Sequence, residues 1–286
     1  MKLGAHMSAA GGLYKAFARA QEATCDTMMV FTKSNRQWKA KTITPEDVTL
    51  YQEAQTAHEA IAPVAVHASY LINMASPKDE LWEKSVEALK VEVERAATFD
   101  IPLLVFHPGS HVKSGEEAGM ERIAAGLRRI LEETAVSAPN TTICLETMAG
   151  QGTNIGGTFE HLAHIIELAG GDARLGVCFD TCHVFAAGYP VHERKGFLKT
   201  FRDFERILGL DTLKAIHMND SKKPFDSRRD RHEHIGKGEI GLDCFSFIVN
   251  DRRFRKIPMI LETPKSEDLH EDAENLAVLR GLRKKK

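Results

Sequence analysis

Residues Leu175–Val184 read LGVCFDTCHV. An apolar run ends in Asp180, and His183 follows three residues later. A run of this kind, without alternation, suits a strand buried on both faces, as in a parallel sheet. The acid then stands at the end of that strand. One helical turn would bring His183 onto the same face.

The pattern recurs along the chain. Further apolar runs are KLGAH (2–6), TMMVF (27–31), PVAVH (63–67), PLLVFH (102–107), TTICLE (141–146), TLKAIH (212–217) and IPMILE (257–262). Amphipathic segments lie between them. In residues 81–99, Leu81, Val86, Leu89, Val93 and Ala96 keep near-helical spacing. Residues 119–135 and 158–169 read as helices too. TPEDV (44–48) and SPKDE (76–80) read as helix starts, with Thr44 and Ser76 as caps ahead of a proline. Eight strands alternating with helices predict a (β/α)8 TIM barrel, one domain over residues 1–286, with its active site at the C-terminal face of the strands. The irregular stretches 32–44, 147–157, 184–196 and 218–241 are long enough to be functional loops.

Composition narrows the class. The chain has 286 residues, 43% hydrophobic, which is enough for one large core. Formal net charge is -2, so no overall basic signature marks a partner. The start lacks an apolar core of signal-peptide length, and no run reaches membrane-span length. Five cysteines, an odd number, point to a reducing compartment rather than a disulfide scaffold. A monomeric cytoplasmic enzyme is the expectation.

Six runs end in a potential metal ligand: His67, His107, Glu146, Asp180, His217 and Glu262. A seventh ends in His6. In a parallel barrel those ends meet at one face. Gathering carboxylates and imidazoles there is costly unless cations neutralise them. Mixed His and carboxylate donors suit zinc, manganese or iron. His183, Asp230 and His232 form a second set: Asp230 and His232, two apart, face one way in an extended loop. Three protein ligands leave a position open for water or substrate. Lys33, Arg36, Lys39 and Lys41, then Lys222, Lys223, Arg228, Arg229 and Arg231, cluster in the long loops as phosphate contacts. His6 and His111 sit near the site without being assigned as ligands, His234 is expected to point away, and Cys178 is expected in the core. RKKK (283–286) reads as a solvated tail.

These motifs together carry a resemblance. GAHMSAAGGL, FTKSNRQW, VHASYLIN, FHPGSH, CLETMAGQGTNIG, CFDTCHVFAAGY, IHMNDSK, DRHEHIGKGEIG and ILETP run through almost the whole chain. The chain resembles endonuclease IV, the zinc-dependent apurinic/apyrimidinic endonucleases on a xylose isomerase-like TIM barrel. The resemblance implies three Zn²⁺, with Mn²⁺ or Fe²⁺ as alternatives at some positions. His67 and His107 would hold the first, Asp180, His217 and Glu262 the second, Glu146 would bridge them, and His183, Asp230 and His232 would hold the third. Glu146 and Glu262 are implied as catalytic. Arg36, Tyr70 and Leu71 are implied to enter duplex DNA at the lesion, as wedges that unstack bases do. The implied reaction is hydrolysis 5′ to an abasic site, leaving a 3′-hydroxyl and a 5′-deoxyribose phosphate, with trimming of blocked 3′ ends. A sugar isomerase or epimerase, and a non-catalytic zinc protein that recognises damaged DNA, are the competing readings. The third ligand set and the Arg36 and Tyr70–Leu71 loops separate a small-sugar enzyme from the nuclease.

Overall fold

The computed structural model describes residues 1–266 and 268–284. In chain order the elements run β1 (Lys2–His6), α1 (Lys15–Glu22), β2 (Thr27–Val30), α2 (Pro45–Ala57), β3 (Val64–His67), α3 (Asp79–Thr98), β4 (Leu103–Phe106), α4 (Glu116–Glu133), β5 (Thr142–Glu146) and α5 (Phe159–Leu168). They continue with β6 (Leu175–Asp180), α6 (Thr181–Ala186), α7 (Arg194–Ile207), β7 (Leu213–His217), β8 (Asp220–Ser221), β9 (His232–Glu233), α8 (Leu242–Asn250), β10 (Pro258–Leu261) and α9 (His270–Gly281). Eight strands close a barrel in the order β1-β10-β7-β6-β5-β4-β3-β2, every pairing parallel. β8 and β9 form a small antiparallel pair outside it. The expected TIM barrel is the observed fold.

Strand side chains alternate between two buried faces, which is why the runs show no alternation in hydrophobicity. One set, Met29, Ala65, Leu103, Val105, Cys144, Cys178, Ala215 and Ile260, packs together inside the barrel. The other set, including Val64, Val66, Leu104, Phe106, Ile143, Leu145, Val177, Phe179, Ile216 and Leu261, packs with the helices in the outer core. The period of two then fixes what comes next. His67, His107, Glu146, Asp180, His217 and Glu262 each lie two residues beyond an interior residue. They therefore share its inward parity, at the C-terminal mouth. A bulge helps: β6–β7 pairing steps from Val177↔Leu213 to Cys178↔Ala215, leaving Lys214 over and setting Asp180 opposite His217.

Thr44 caps α2 as expected, accepting from the Asp47 N–H at 3.2 Å while Asp47 Oδ2 accepts from the Thr44 N–H at 2.9 Å. Ser76 does not cap α3. The cap position is Lys78, and Ser76 Oγ accepts from the Lys78 N–H at 3.2 Å, so the serine shapes the turn ahead of the helix. The stretch 184–196 is also less irregular than expected, since α6 runs to Ala186 and α7 starts at Arg194. Of the basic tail, Arg283 and Lys284 are exposed, and Lys285 and Lys286 lie outside the described residues.

Candidate metal centre

Glu146 stands at the middle of the mouth, completely buried. Its Oε2 lies 3.3 Å from His67 Nε2 and 3.3 Å from His107 Nε2. Its Oε1 lies 3.0 Å from His217 Nδ1 and 3.3 Å from His183 Nδ1. His217 Nδ1 is also 3.2 Å from Glu262 Oε2 and 3.8 Å from Asp180 Oδ2. On the other flank, Asp230 presents Oδ2 to His183 Nε2 and Oδ1 to His232 Nε2, each at 3.2 Å. Among the described residues, three sets drawn from these nine side chains alone have donor atoms within 4.8 Å of one another: His67, His107 and Glu146; Glu146, Asp180, His217 and Glu262; His183, Asp230 and His232. All nine side chains named from the sequence are brought together.

Local structure aims them. Asp180 is both the last residue of β6 and the N-cap of α6, its Oδ1 accepting from the His183 N–H at 2.7 Å. The helical turn thus places Asp180 and His183 on one side while they join different donor sets. Backbone carbonyls orient the rings. Ala68 O lies 2.7 Å from His67 Nδ1, Thr147 O lies 2.8 Å from His183 Nδ1, and Glu262 O lies 3.1 Å from His232 Nδ1. A carbonyl only accepts, so each Nδ1 carries the proton and each Nε2 offers its lone pair to the cluster. Nε2 of His183 and of His232 is buried without a hydrogen-bond partner, despite the nearby Asp230 oxygens.

The electrostatics point the same way. Burial alone would lower the His183 and His217 pKa values and raise those of Glu146 and Glu262. The charges around them win: Asp180 and Asp230 hold His183 well above the usual imidazole range, and His217 and His107 hold Glu146 well below the carboxylate range. Burial opposes the rise of His232 too, yet Asp230 and Asp180 bring it to about 9. The same negative surroundings that raise His183, His217 and His232 favour bound cations, and metal ions compete with protons for the ring lone pairs. Buried lone pairs without partners, in a mixed His and carboxylate set, fit zinc, manganese or iron.

Several neighbours were not evident in the sequence. Asn219 donates from Nδ2 to Asp180 Oδ2 at 2.7 Å, and its Oδ1 accepts from the Glu262 N–H at 2.7 Å. Lying two residues beyond His217, it keeps the inward parity, a signal that was available. Thr147 Oγ1 accepts from the Asp180 N–H at 2.9 Å, and nothing in its local sequence announces this. His6 Nδ1 is 3.1 Å from Glu262 Oε1. Cys182 lies within ligand distance of Asp180 and His232, whereas Cys178 belongs to the barrel interior as expected. His234 turns to Asn275, away from the cluster, also as expected.

The loop carrying Asp230 and His232 wraps around Asp220. That buried carboxylate accepts from the N–H groups of Gly236 at 2.9 Å, Gly238 at 3.1 Å, Ile240 at 2.9 Å and Ser221 at 2.8 Å. Gly236 has φ +76°, and a Cβ at Gly238 would run into Asp220 and the Ser221 carbonyl. Beside the mouth, Tyr70 is 54% exposed, its ring 5.2 Å from that of His67 and 5.5 Å from that of His107. Arg36 is exposed and Leu71 half-buried. Among the loop cations, Lys39, Lys41, Lys222, Arg228, Arg229 and Arg231 are exposed. Lys33 is not available as a phosphate contact, because its side chain is buried against Glu92.

Residues 17–284 match the family model described as xylose isomerase-like TIM barrel. A protein of Chloroflexus aurantiacus named probable endonuclease 4 is 52% identical over 281 residues, covering 98% of both chains. The crystal structure of endonuclease IV from Thermus thermophilus superposes with a TM-score of 0.87 at 34% identity, covering 99% of this chain and 98% of that one. A D-tagatose 3-epimerase-like protein shares the fold, with a TM-score of 0.71 at 21% identity over 98% of this chain and 97% of that one. The chain belongs to the endonuclease IV family of xylose isomerase-like TIM barrels.

Proposed function

We propose that this chain repairs DNA by hydrolysing the phosphodiester 5′ to an abasic site, leaving a 3′-hydroxyl and a 5′-deoxyribose phosphate, and that it also trims blocked 3′ ends. Its family membership makes it a hydrolase, an AP endonuclease. The observation that carries the finer reading is the position of Glu146, within 3.3 Å of four imidazole nitrogens from four different segments. An anion so placed is suited to bridge cations rather than to fill a core.

His67 and His107 would hold one Zn²⁺, Asp180, His217 and Glu262 a second, with Glu146 shared between them, and His183, Asp230 and His232 a third. Zinc held there supplies water acidified to react near neutral pH and positive charge against the phosphate oxygens. Of the chain's own groups, Glu146 and Glu262 are the catalytic carboxylates. They would balance the positive charge gathered at the site around a bound phosphate. Ala68, Thr147 and Glu262 carbonyls fix the ring tautomers, so no reorientation precedes the reaction. Arg36, Tyr70 and Leu71 would enter the duplex at the lesion, and the exposed loop cations would contact its phosphates. Three bound dications would also turn the small negative net charge positive, which favours a polyanionic substrate.

One chain supplies all nine candidate ligands, so we read the enzyme as a monomer. Five cysteines, all free, support a reducing compartment, the cytoplasm. No helix among the described residues is long and apolar enough to cross a membrane.

The test is a labelled duplex with one stable abasic analogue, incubated with zinc-loaded protein and no added magnesium. A single nick immediately 5′ to the lesion, extendable by a polymerase, is the expected result. No nick despite full zinc loading by elemental analysis removes this reading and turns attention to ketose isomerisation.

A further inference from the structure

Lys33 Nζ lies 3.5 Å from Glu92 Oε1, with the side chains only 2% and 1% exposed. Glu92 projects from α3, and its Oε1 also accepts from the Ser69 N–H at 2.9 Å. Lys33 donates in addition to Gln37 O at 2.8 Å and Ser34 O at 3.4 Å. Ser69 Oγ donates to Asn35 O at 2.8 Å. Arg95, one turn further along α3, donates to Lys41 O at 2.7 Å. One helix therefore carries two loops. The first, after β2, bears Arg36. The second, after β3, bears Tyr70 and Leu71 directly beyond Ser69.

Stability alone accounts poorly for this arrangement. A buried ion pair replaced by apolar groups of similar volume is often no less stable, because desolvation offsets the attraction. Here Glu92 Oε2 is left without a partner, so the pair is not even fully satisfied. What it does supply is register, since the same two charged groups grip the backbone of both loops. Neither group touches the metal-ligand cluster as a hydrogen-bond or ion-pair partner.

We propose that Lys33 and Glu92 are positioning residues that lock the Arg36 loop and the Tyr70–Leu71 loop into one rigid unit, so that both engage the duplex together at the lesion. This rests on the abasic-site reading above. The ordering of the two loops is completed during folding rather than charged against DNA binding.

The test uses the metal-loaded full chain with Lys33→Met, Glu92→Gln and the double substitution. A single substitution can unfold the protein by leaving a charge buried alone. The double variant leaves no such charge. Three quantities are read: kcat and KM on the abasic duplex, fluorescence of 2-aminopurine placed beside the lesion, and hydrolysis of bis(p-nitrophenyl) phosphate, which is too small to engage both loops together. For the double variant we expect KM to rise about tenfold or more and the fluorescence change to shrink, with small-diester hydrolysis within about twofold of wild type. Wild-type KM and fluorescence in the double variant overturn the proposal. So does an equal loss of small-diester and duplex hydrolysis, which marks general structural damage. If wild type hydrolyses the small diester but never nicks the abasic duplex, the functional reading itself fails, and the proposal with it.

Discussion

Glu146 and His217 stand 71 residues apart in sequence, yet their side chains meet at 3.0 Å, both fully buried at the mouth of the barrel. Neither is held by its immediate neighbours. Each ends a strand, and barrel closure brings the ends together. The proposed activity depends on this contact.

Glu146→Gln keeps the volume and removes the anion from among four imidazoles. The variant should fold, lose zinc affinity, and cut abasic duplex at least about 100-fold more slowly. Circular dichroism, elemental analysis and single-turnover cleavage check this. Cleavage near the wild-type rate would show that the carboxylate is not shared between cations.

Asp230→Ala should remove one zinc and leave the rest. Asp230 presents one oxygen to His183 and the other to His232, on the opposite flank from His67 and His107. Its side chain is 37% exposed, on a loop rather than a barrel strand, so the cost in stability should stay at about 1–2 kcal/mol although it faces the buried His183. Metal counting with a thermal melt of the stripped protein separates the two effects. Loss of all bound zinc would contradict the division into sets.

Asp220→Ala should act at a distance. It leaves four backbone N–H groups around a buried site without their acceptor. At about 1 kcal/mol for each orphaned donor, the destabilisation should reach about 4 kcal/mol. The freed loop should also weaken metal held by Asp230 and His232. Denaturant unfolding and zinc titration measure both, and unchanged zinc affinity would mean that the loop is held by other contacts.

The thiols should be silent in the native protein. Burial pushes Cys25, Cys178 and Cys182 up to about 12, and raises Cys144 and Cys244 as well. The thiolate is the reactive form, so raising the pH from about 7 to about 9 should not accelerate labelling as it does for an ordinary thiol of pKa about 8.5. Labelling with a disulfide reagent should find no fast thiol before denaturation and five after it. A fast native thiol whose rate climbs through that pH range would show that one of these sites opens to solvent.

Much of this was legible in the sequence because a parallel barrel converts position along a strand into position in space. Runs such as TTICLE and TLKAIH end in Glu146 and His217, and a barrel has one C-terminal face for all such ends. Asp180 and His183 were legible through one helical turn, and Asp230 and His232 through extended-chain alternation. Lys33 departs from its expected place as a solvated phosphate contact for a definite reason. A lysine in a polar loop reads as solvated, and its partner Glu92 lies within an amphipathic helix where a glutamate also reads as solvated. Only their approach from different elements buries both.

The strand and helix succession, the barrel, and the types of donor at the strand ends follow from local periodicity and chain order, and so are readable from the residues alone. Tertiary structure alone decided which donors share a set, that Asn219 and Thr147 support Asp180, that Asp220 anchors the distal loop, and that Lys33 and Glu92 tie two loops to one helix. Such pairings depend on distances between residues tens of positions apart. Those distances are set by closure, the β6–β7 bulge and packing, none of which a local pattern encodes.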